Sequence, residues 1–537
     1  MPSNIYSNNE FTEEEITLLQ YFISNVNGNV FALMNMPEIV KAALFSRYSR
    51  SNKSLKRILL DEFINEGLLK GPDKECKGHS YINVKKAEDF FDRVFIGYGD
   101  DSVAELAFAH IAVENCSSLM AKILEDSRVG ISPLEKSTRY VAFDEKVNGK
   151  YKYYEDQTIM KNYGDLYNSL MQKLFDTYAE MLYSIKNYLR KRYKKEEHIS
   201  ERAYENAIKA KACDITRGLL PASTLTNVGL AGNARAFEYL LIKMAASELY
   251  EAKSLADEMY NELKKVLPSL IKRFKSSYGE KHISFLSQLN EAIENLALAY
   301  KNMAHFNDND EDVKLIHVNG REEDVFASLL FMKSGLDFEK AIAHARQMSS
   351  LQKSQFLLDY ERARDNRRHK PNRAFELVSY TFQITCNFGA YRDLQRHRLN
   401  TQFRQLLTTH LGYDTPEEII DAGLKQKWDD AMHMADDIFR KIEKKSPYNA
   451  QYVVPFAYKI RWLLSLNLRE ALHMCELRSS EQGHADYRKI AIKIADKIKQ
   501  VHPIIGRFKF LNNASINLER LNAEIKREKQ TIKNGQA

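Results

Sequence analysis

The chain has 537 residues, 44% of them hydrophobic and 28% charged, which supports a buried core and excludes disorder as the overall state. Gly and Pro together number only 32, a scarcity that favours long helices over a β-sandwich. A net charge of +7 over this length suits small anionic ligands and argues weakly for nucleic acid.

In chain order, Arg139–Phe143 and Tyr151–Tyr154 read as short strands. Residues 160–192 carry apolar side chains at three- and four-residue spacing, which predicts a long amphipathic helix. Residues 236–266 and 281–304 read the same way. Asn307–Asp312 (NDNDED) is a polar run expected as a linker. Lys314–Val318 reads as a strand, and 427–444 and 485–501 as helices. The expectation is a helix-dominated α+β fold. Apolar runs such as Val325–Met332 fall far short of the ~20 residues that span a bilayer. Met1–Glu15 is polar and acidic, unlike a signal peptide. The five cysteines (Cys76, Cys116, Cys213, Cys386, Cys475) are scattered, with no metal-ligand spacing. A soluble, cytoplasmic protein without metal or disulfides is expected.

The two halves are related. Arg217-Gly-Leu-Leu-Pro221 is followed by Asn233-Ala-Arg235, and Gln451-Tyr-Val-Val-Pro455 by Asn467-Leu-Arg469, each at an offset of 234. Arg273-Phe-Lys275 and Arg507-Phe-Lys509 keep that offset. An internal duplication follows.

Two clusters suit anion chemistry. Ser132-Pro-Leu-Glu135-Lys-Ser137-Thr-Arg139-Tyr140 places hydroxyls beside a guanidinium fork, a compact phosphate cradle; a turn with a capping serine would use the same residues. Arg396-His397-Arg398 suits a polyanion, or a solvated basic helix end.

Together the clusters resemble the flavin-dependent thymidylate synthases, the ThyX family, whose signature is R-H-R-x-x-S-x-N-E-x-S-x-R-Y. The first half matches Ser132, Glu135, Ser137, Arg139 and Tyr140 but has Ser127-Arg128-Val129 at the RHR positions. The second half keeps Arg396-His397-Arg398 and then runs Thr401, Phe403, Arg404, Leu406 and Thr408. Upstream, Gly99, Ser102, Val103 and Glu105 resemble the family's G-H-x-S-v-x-E-H, and Glu376–Phe382 its E-H-x-x-F-T-F. Leu106 and Leu377 stand at the His after Glu, and Asp100 at the first His. Asn467-x-Arg469 through His473 to Arg478 follows N-x-R-x-L-x-x-F-x-x-L-R, and Arg217 sits at the A-R-x-x-L-P arginine.

Each half keeps what the other lacks, so the resemblance implies a fused pseudo-dimer with one composite site per chain, pairing as a homodimer into a pseudo-tetramer. The expected division is an N-terminal extension 1–29, a first repeat 30–280, a helix and linker 281–312, a second repeat 313–512 and a polar tail 513–537. The resemblance also implies roles. Ser132, Glu135, Ser137, Arg139, Arg217 and Arg396 would bind dUMP. Arg478 would polarise the uracil as the catalytic group. Arg396, His397, Arg398, Asn467, Arg469, His473 and Gln482 would bind FAD. NADPH would be the reductant and 5,10-methylenetetrahydrofolate the one-carbon donor. Asp393 replaces a family Gln near the expected phosphate, a like-charge conflict unless Arg392 or Arg396 pairs with it. The alternatives are a flavin-dependent methyltransferase acting on uracil in RNA, with Arg190–Lys195 and Arg367–Arg373 as its basic footprint, and an inactive nucleotide- or flavin-binding paralogue.

Overall fold

The computed structural model describes residues 11–70, 81–82, 101–127, 129–300, 311–514, 518 and 520–535. Cys76, Gly99, Asp100, Arg128 and residues 307–310 of the polar run lie outside them.

Both repeats carry one order of elements. The first runs β1 (Phe108–Ser117), a helix Ser118–Glu125, β2 (Ile131–Glu135), helices Gln157–Arg192 and Glu201–Thr216, a 3-10 turn Arg217–Leu219, β3 (Leu225–Asn233), and helices Ala234–Ala245 and Tyr250–Val266. The second begins with an extra strand, β4 (Val313–Asn319), and three helices. It then runs β5 (Ser379–Asn387), a helix Phe388–Leu394, β6 (Thr401–Arg404), helices Glu417–Asp421 and Lys425–Glu443, a 3-10 turn Gln451–Val453, β7 (Lys459–Asn467), and helices Leu468–Arg478 and Ala485–Val501.

The shared order has a local cause. Helices after strands start where a short polar side chain accepts a backbone N–H: Ser117 from Met120, Asn233 from Ala236, Asn387 from Ala390 and Asn467 from Glu470. β3 and β7 share one alternation, burying Thr226, Val228, Leu230 and Gly232 in one and Ile460, Trp462, Leu464 and Leu466 in the other. The sheets of the two repeats are three-stranded in the order β1-β3-β2 and four-stranded in the order β4-β5-β7-β6, and Leu69–Lys70 pairs with Tyr81–Ile82 in a separate two-stranded sheet. In the latter β5 and β7 run antiparallel from Ser379 opposite Asn467 to Asn387 opposite Lys459.

The chain forms two compact units, residues 1–113, 127–134 and 228–302, and residues 114–126, 135–227 and 303–537. The first packs around Phe22, Leu44, Ile58, Phe63, Phe237 and Leu241. The second draws on both repeats, and its core holds Trp428, Trp462, Tyr178, Tyr391, Tyr452 and Tyr458.

Inside the second unit, the two proline motifs meet reciprocally. Ala222 N–H donates to Val454 O (2.9 Å) and Phe456 N–H to Leu220 O (2.9 Å); Ser223 N–H donates to Tyr452 O (3.1 Å) and Ala457 N–H to Gly218 O (2.9 Å). Each bond maps onto its partner by the 234-residue offset. Ser118 and Leu119 bond Thr224 O and Ala222 O as Phe388 and Gly389 bond Tyr458 O and Phe456 O. This is the self-complementary contact of a two-fold dimer, made here by one chain.

Three expectations need correction. Residues 151–154 form no strand, only an isolated bridge of Tyr153 to Thr224. Residues 139–143 are not a strand: Tyr140 and Val141 N–H both turn back to Ser137 O (3.3 and 3.2 Å), because the Arg139 side chain is drawn inward to a carboxylate. Residues 236–266 break into two helices at Ala246–Leu249, where Ser247 Oγ accepts the Leu249 N–H (3.2 Å) and Leu249 is extended and buried. The helix around 160–192 runs over Gln157–Arg192, with Tyr163 out of helical geometry. Among the described residues no helix is long and apolar enough to cross a membrane.

Candidate active site

The second unit gathers arginines from both repeats around two buried carboxylates, Glu135 and Asp214, and the half-buried Asp393. Glu135, at the end of β2, accepts from Arg392 Nη2, from Lys122 Nζ (3.0 Å) and from Arg396 Nη2 (3.2 Å). Burial would raise this carboxyl, but Arg392, Lys122 and Arg396 outweigh burial and hold it at about 2. Lys122 also pairs with Glu125.

Arg139 is gripped side-on by Asp214, with Nε to Oδ1 at 2.8 Å and Nη2 to Oδ2 at 2.7 Å. Its Nη1 donates to Tyr487 OH (2.9 Å) and its Nη2 to Gln482 O (3.2 Å). Arg217, just past the helix that ends at Thr216, donates from Nη1 to Asp393 Oδ2 (3.2 Å). Its Nη2 is buried with no hydrogen-bond partner among the described residues. A Cβ on Gly389 would stand 3.2 Å from Arg217 Nε, so glycine there makes room for the guanidinium. Asp393 thus pairs with Arg217 rather than with Arg392 or Arg396. Burial opposes its ionisation, yet Arg217, Arg139, Arg396 and Arg478 hold it well below the carboxylate range. A cavity of about 660 Å³ borders Arg217, Asp214 and His484.

His397 joins this cluster to the helix Leu468–Arg478. Its Nδ1 lies 3.1 Å from Glu470 Oε1 and its Nε2 accepts from Arg478 Nε at 2.9 Å. Those partners assign the proton to Nδ1. Burial, with Arg478 second, pushes its pKa well down, so the ring is neutral. His473 stands beside it at 5.8 Å between ring centroids, with Nδ1 buried and unpartnered. His397, Glu470 and His473 lie close enough to hold a cation. The proton on His397 Nδ1 and the arginine on Nε2 oppose that, since a ligating histidine passes its other N–H to an acceptor.

The remaining expected residues are placed differently. Ser137 Oγ accepts the Arg139 N–H (3.3 Å) and shapes the turn that aims Arg139. Ser132 is exposed, on the alternate face of β2 from Glu135. Asn467 caps its helix, Arg469 binds Pro371 O (2.7 Å) and Glu376 (3.1 Å), and Arg398 is half-buried. Gln482 reaches Arg139 through its carbonyl, while its side chain is exposed. His484 caps the helix Ala485–Val501 and lies 3.2 Å from Asp214 O.

The related position is built differently. Gln451 stands where Arg217 does, its amide spent on Leu407 N–H (3.0 Å) and Tyr448 O (3.0 Å). Arg404 takes the motif place of Glu135 and pairs at 3.5 Å with Asp126, nine residues past its helix cap as Arg396 is past Asn387. The charges are inverted.

The family described as thymidylate synthase complementing protein matches residues 57–269 and 317–504, one segment in each repeat. The chain belongs to this family. It is 40% identical over 529 residues to a UPF0159 protein of Chlamydia muridarum, covering 97% of this chain and 99% of that protein. A UPF0159 protein of Thermoplasma acidophilum is 34% identical over 521 residues, with 91% and 98% covered. A flavin-dependent thymidylate synthase of Pyrococcus abyssi is 28% identical over 145 residues, 24% of this chain and 59% of that protein. A crystal structure of the UMP/dUMP methylase PolB of Streptomyces cacaoi bound with 5-Br dUMP aligns at 16% identity and TM-score 0.28, covering 36% of this chain and 92% of that one.

Sequence reasoning missed Lys122, Glu125, Asp214, Tyr487 and Arg520, and offered Arg392 as a partner for Asp393 where the structure pairs it with Glu135. Only Arg520 left a signal: the spacing of Leu518, Leu521 and Ile525 in the supposed polar tail is helical, and Leu521–Gly535 is a helix.

Proposed function

We propose that this chain is a flavin-dependent thymidylate synthase, converting dUMP to dTMP at one composite site per chain. The supporting observation is the convergence of Arg139 and Arg217 from one repeat with Arg396 and Arg478 from the other on Asp393. A phosphate monoester, of charge about −2, would meet arginines contributed by both repeats there. The buried, unpartnered Arg217 Nη2 is the donor such a phosphate would take.

Arg217 and Arg139 bind the phosphate, with Ser137 setting the turn. Arg478, with its Nε on His397 and its guanidinium against Tyr487, would polarise the uracil and raise the nucleophilicity of C5. Glu470 fixes the His397 tautomer and so the aim of Arg478. His473, with an orphaned Nδ1, fits a cofactor contact beside His397; with Arg398, Asn467 and Arg469 it would hold FAD. The flavin, when bound, supplies hydride and one-carbon transfer between 5,10-methylenetetrahydrofolate and dUMP, with NADPH as reductant. Free dUMP is favoured over RNA, because the basic runs expected as an RNA footprint are engaged: Arg190 by Glu205 (2.7 Å), Arg192 by Asp421 (2.9 Å) and Arg373 by Glu376 (3.1 Å). A homodimer of chains, in the cytoplasm, completes the reading.

Purified protein supplied with FAD, methylenetetrahydrofolate and NADPH is assayed for dTMP formation from dUMP. Turnover abolished by Arg478→Ala is expected. Flavin and dUMP binding without turnover would reduce the protein to a binding paralogue.

A further inference from the structure

Arg520 lies beyond both segments that match the family, yet it is 4% exposed and reaches the centre of the site. Its Nη1 donates to Arg139 O (3.1 Å), its Nη2 to Asp214 Oδ2 (3.4 Å), and its guanidinium sits 4.0 Å over the Tyr140 ring. We propose that Arg520 is a positioning residue for the nucleotide site: by sharing Asp214 with Arg139, it leaves Arg139 able to turn toward a phosphate. The inference rests on the reading of Arg139 as a phosphate ligand.

The reason lies in how fully Arg139 is engaged. Nε and Nη2 are committed to Asp214 and Nη1 to Tyr487. A guanidinium so held reaches a new anion only by loosening its hold on Asp214, which would strand a buried carboxylate. With Arg520 already on Oδ2, Asp214 keeps a cation while Arg139 turns.

The segment carrying Arg520 is strapped across the same region. Arg488 Nη2 donates to Asn512 O (3.2 Å) and Ala514 O (2.9 Å). Asn522 Nδ2 donates to Glu481 Oε1 (2.9 Å), next to the Gln482 carbonyl that Arg139 uses. Ser200 Oγ donates to Glu528 (2.6 Å) and Asn206 Nδ2 to Glu524 (3.1 Å), which fastens the last helix along Glu201–Thr216, the helix that carries Asp214. The strap thus fixes Arg520 relative to both partners it bridges.

The test is calorimetric titration of full-length wild type, Arg520→Ala, Arg520→Gln and Arg520→Lys with dUMP and with 2′-deoxyuridine, which lacks the phosphate. Arg520→Ala and Arg520→Gln are expected to weaken dUMP by about ten-fold, the cost of one removed charge–charge contact, and to leave 2′-deoxyuridine unaffected. Arg520→Lys recovers most of the loss. In turnover, Arg520→Gln raises KM for dUMP more than it lowers kcat. Should Arg520→Ala fail to fold, Arg520→Gln, which keeps a polar donor in place of the charge, carries the comparison. Unchanged dUMP affinity in Arg520→Gln, or equal weakening of both ligands, overturns the proposal. A wild type that binds no dUMP overturns the reading of Arg139 itself.

Discussion

Arg217 and Gln451 occupy related positions, and under the proposed function one substitution separates a ligand site from a structural one. Arg217 keeps a buried donor unpaired, whereas both ends of the Gln451 amide are bonded to the main chain. Arg217→Ala is expected to raise the dUMP dissociation constant by about 100-fold, the scale of a lost charged contact. Gln451→Ala should leave dUMP affinity alone and lower stability by about 1–2 kcal/mol through two orphaned backbone groups. Calorimetric titration and thermal melts separate the two effects. Glu135 makes a pH prediction. Its folded pKa is depressed from 4.5 to about 2, so its contribution is present in full above pH 4.5 and fades as pH falls toward 2. Glu135→Gln should remove that limb from a stability-versus-pH curve, with a loss on the order of 3 kcal/mol at neutral pH. An unchanged acid limb would count against the buried network. Of these residues, Arg139, Arg217, Arg396 and Arg478 were legible in the sequence because they sit in spaced motifs. Asp214 was not, and Arg392 was named only as a partner for Asp393, because a buried counter-ion is chosen by the fold and leaves no pattern along the chain.

The long helices were legible at the level of elements, since their apolar spacing carries their own burial. The main strands were not. β3 reads Leu-Thr-Asn-Val-Gly-Leu-Ala-Gly-Asn, with two glycines and two asparagines, and its alternation emerges only once a sheet supplies the neighbours. The reciprocal pairing around Pro221 and Pro455 depends equally on close approach. A Cβ on Gly218 would stand 2.7 Å from Trp428 Cη2 and 3.1 Å from Ala457 Cβ. Gly218→Ala should therefore destabilise the protein by about 1–3 kcal/mol through overpacking at the local two-fold, measured as a shifted denaturant midpoint. No shift would mean that Trp428 yields freely and that the contact is loosely held.

For the whole molecule, duplication explains both what repeats and what does not. The strands, caps and main-chain bonds recur in one order, at an offset of 270 from Ser117 to Asn387 and of 234 from Asn233 to Asn467, because they build the dimer-like frame. The charged side chains have diverged: Glu135 with Arg396 on one side of the frame, Arg404 with Asp126 on the other. An ion pair of inverted sign stands at the second position, which accords with the proposal of a single composite site per chain drawn from both repeats. That claim is tested most directly by mixing two inactive variants. Arg139→Ala and Arg478→Ala are co-expressed, and the mixed assemblies are assayed for dTMP formation. A site built inside one chain leaves every site with one lost arginine, so no activity returns. Activity restored in the mixture would mean that the two repeats meet across different chains, and would contradict the account.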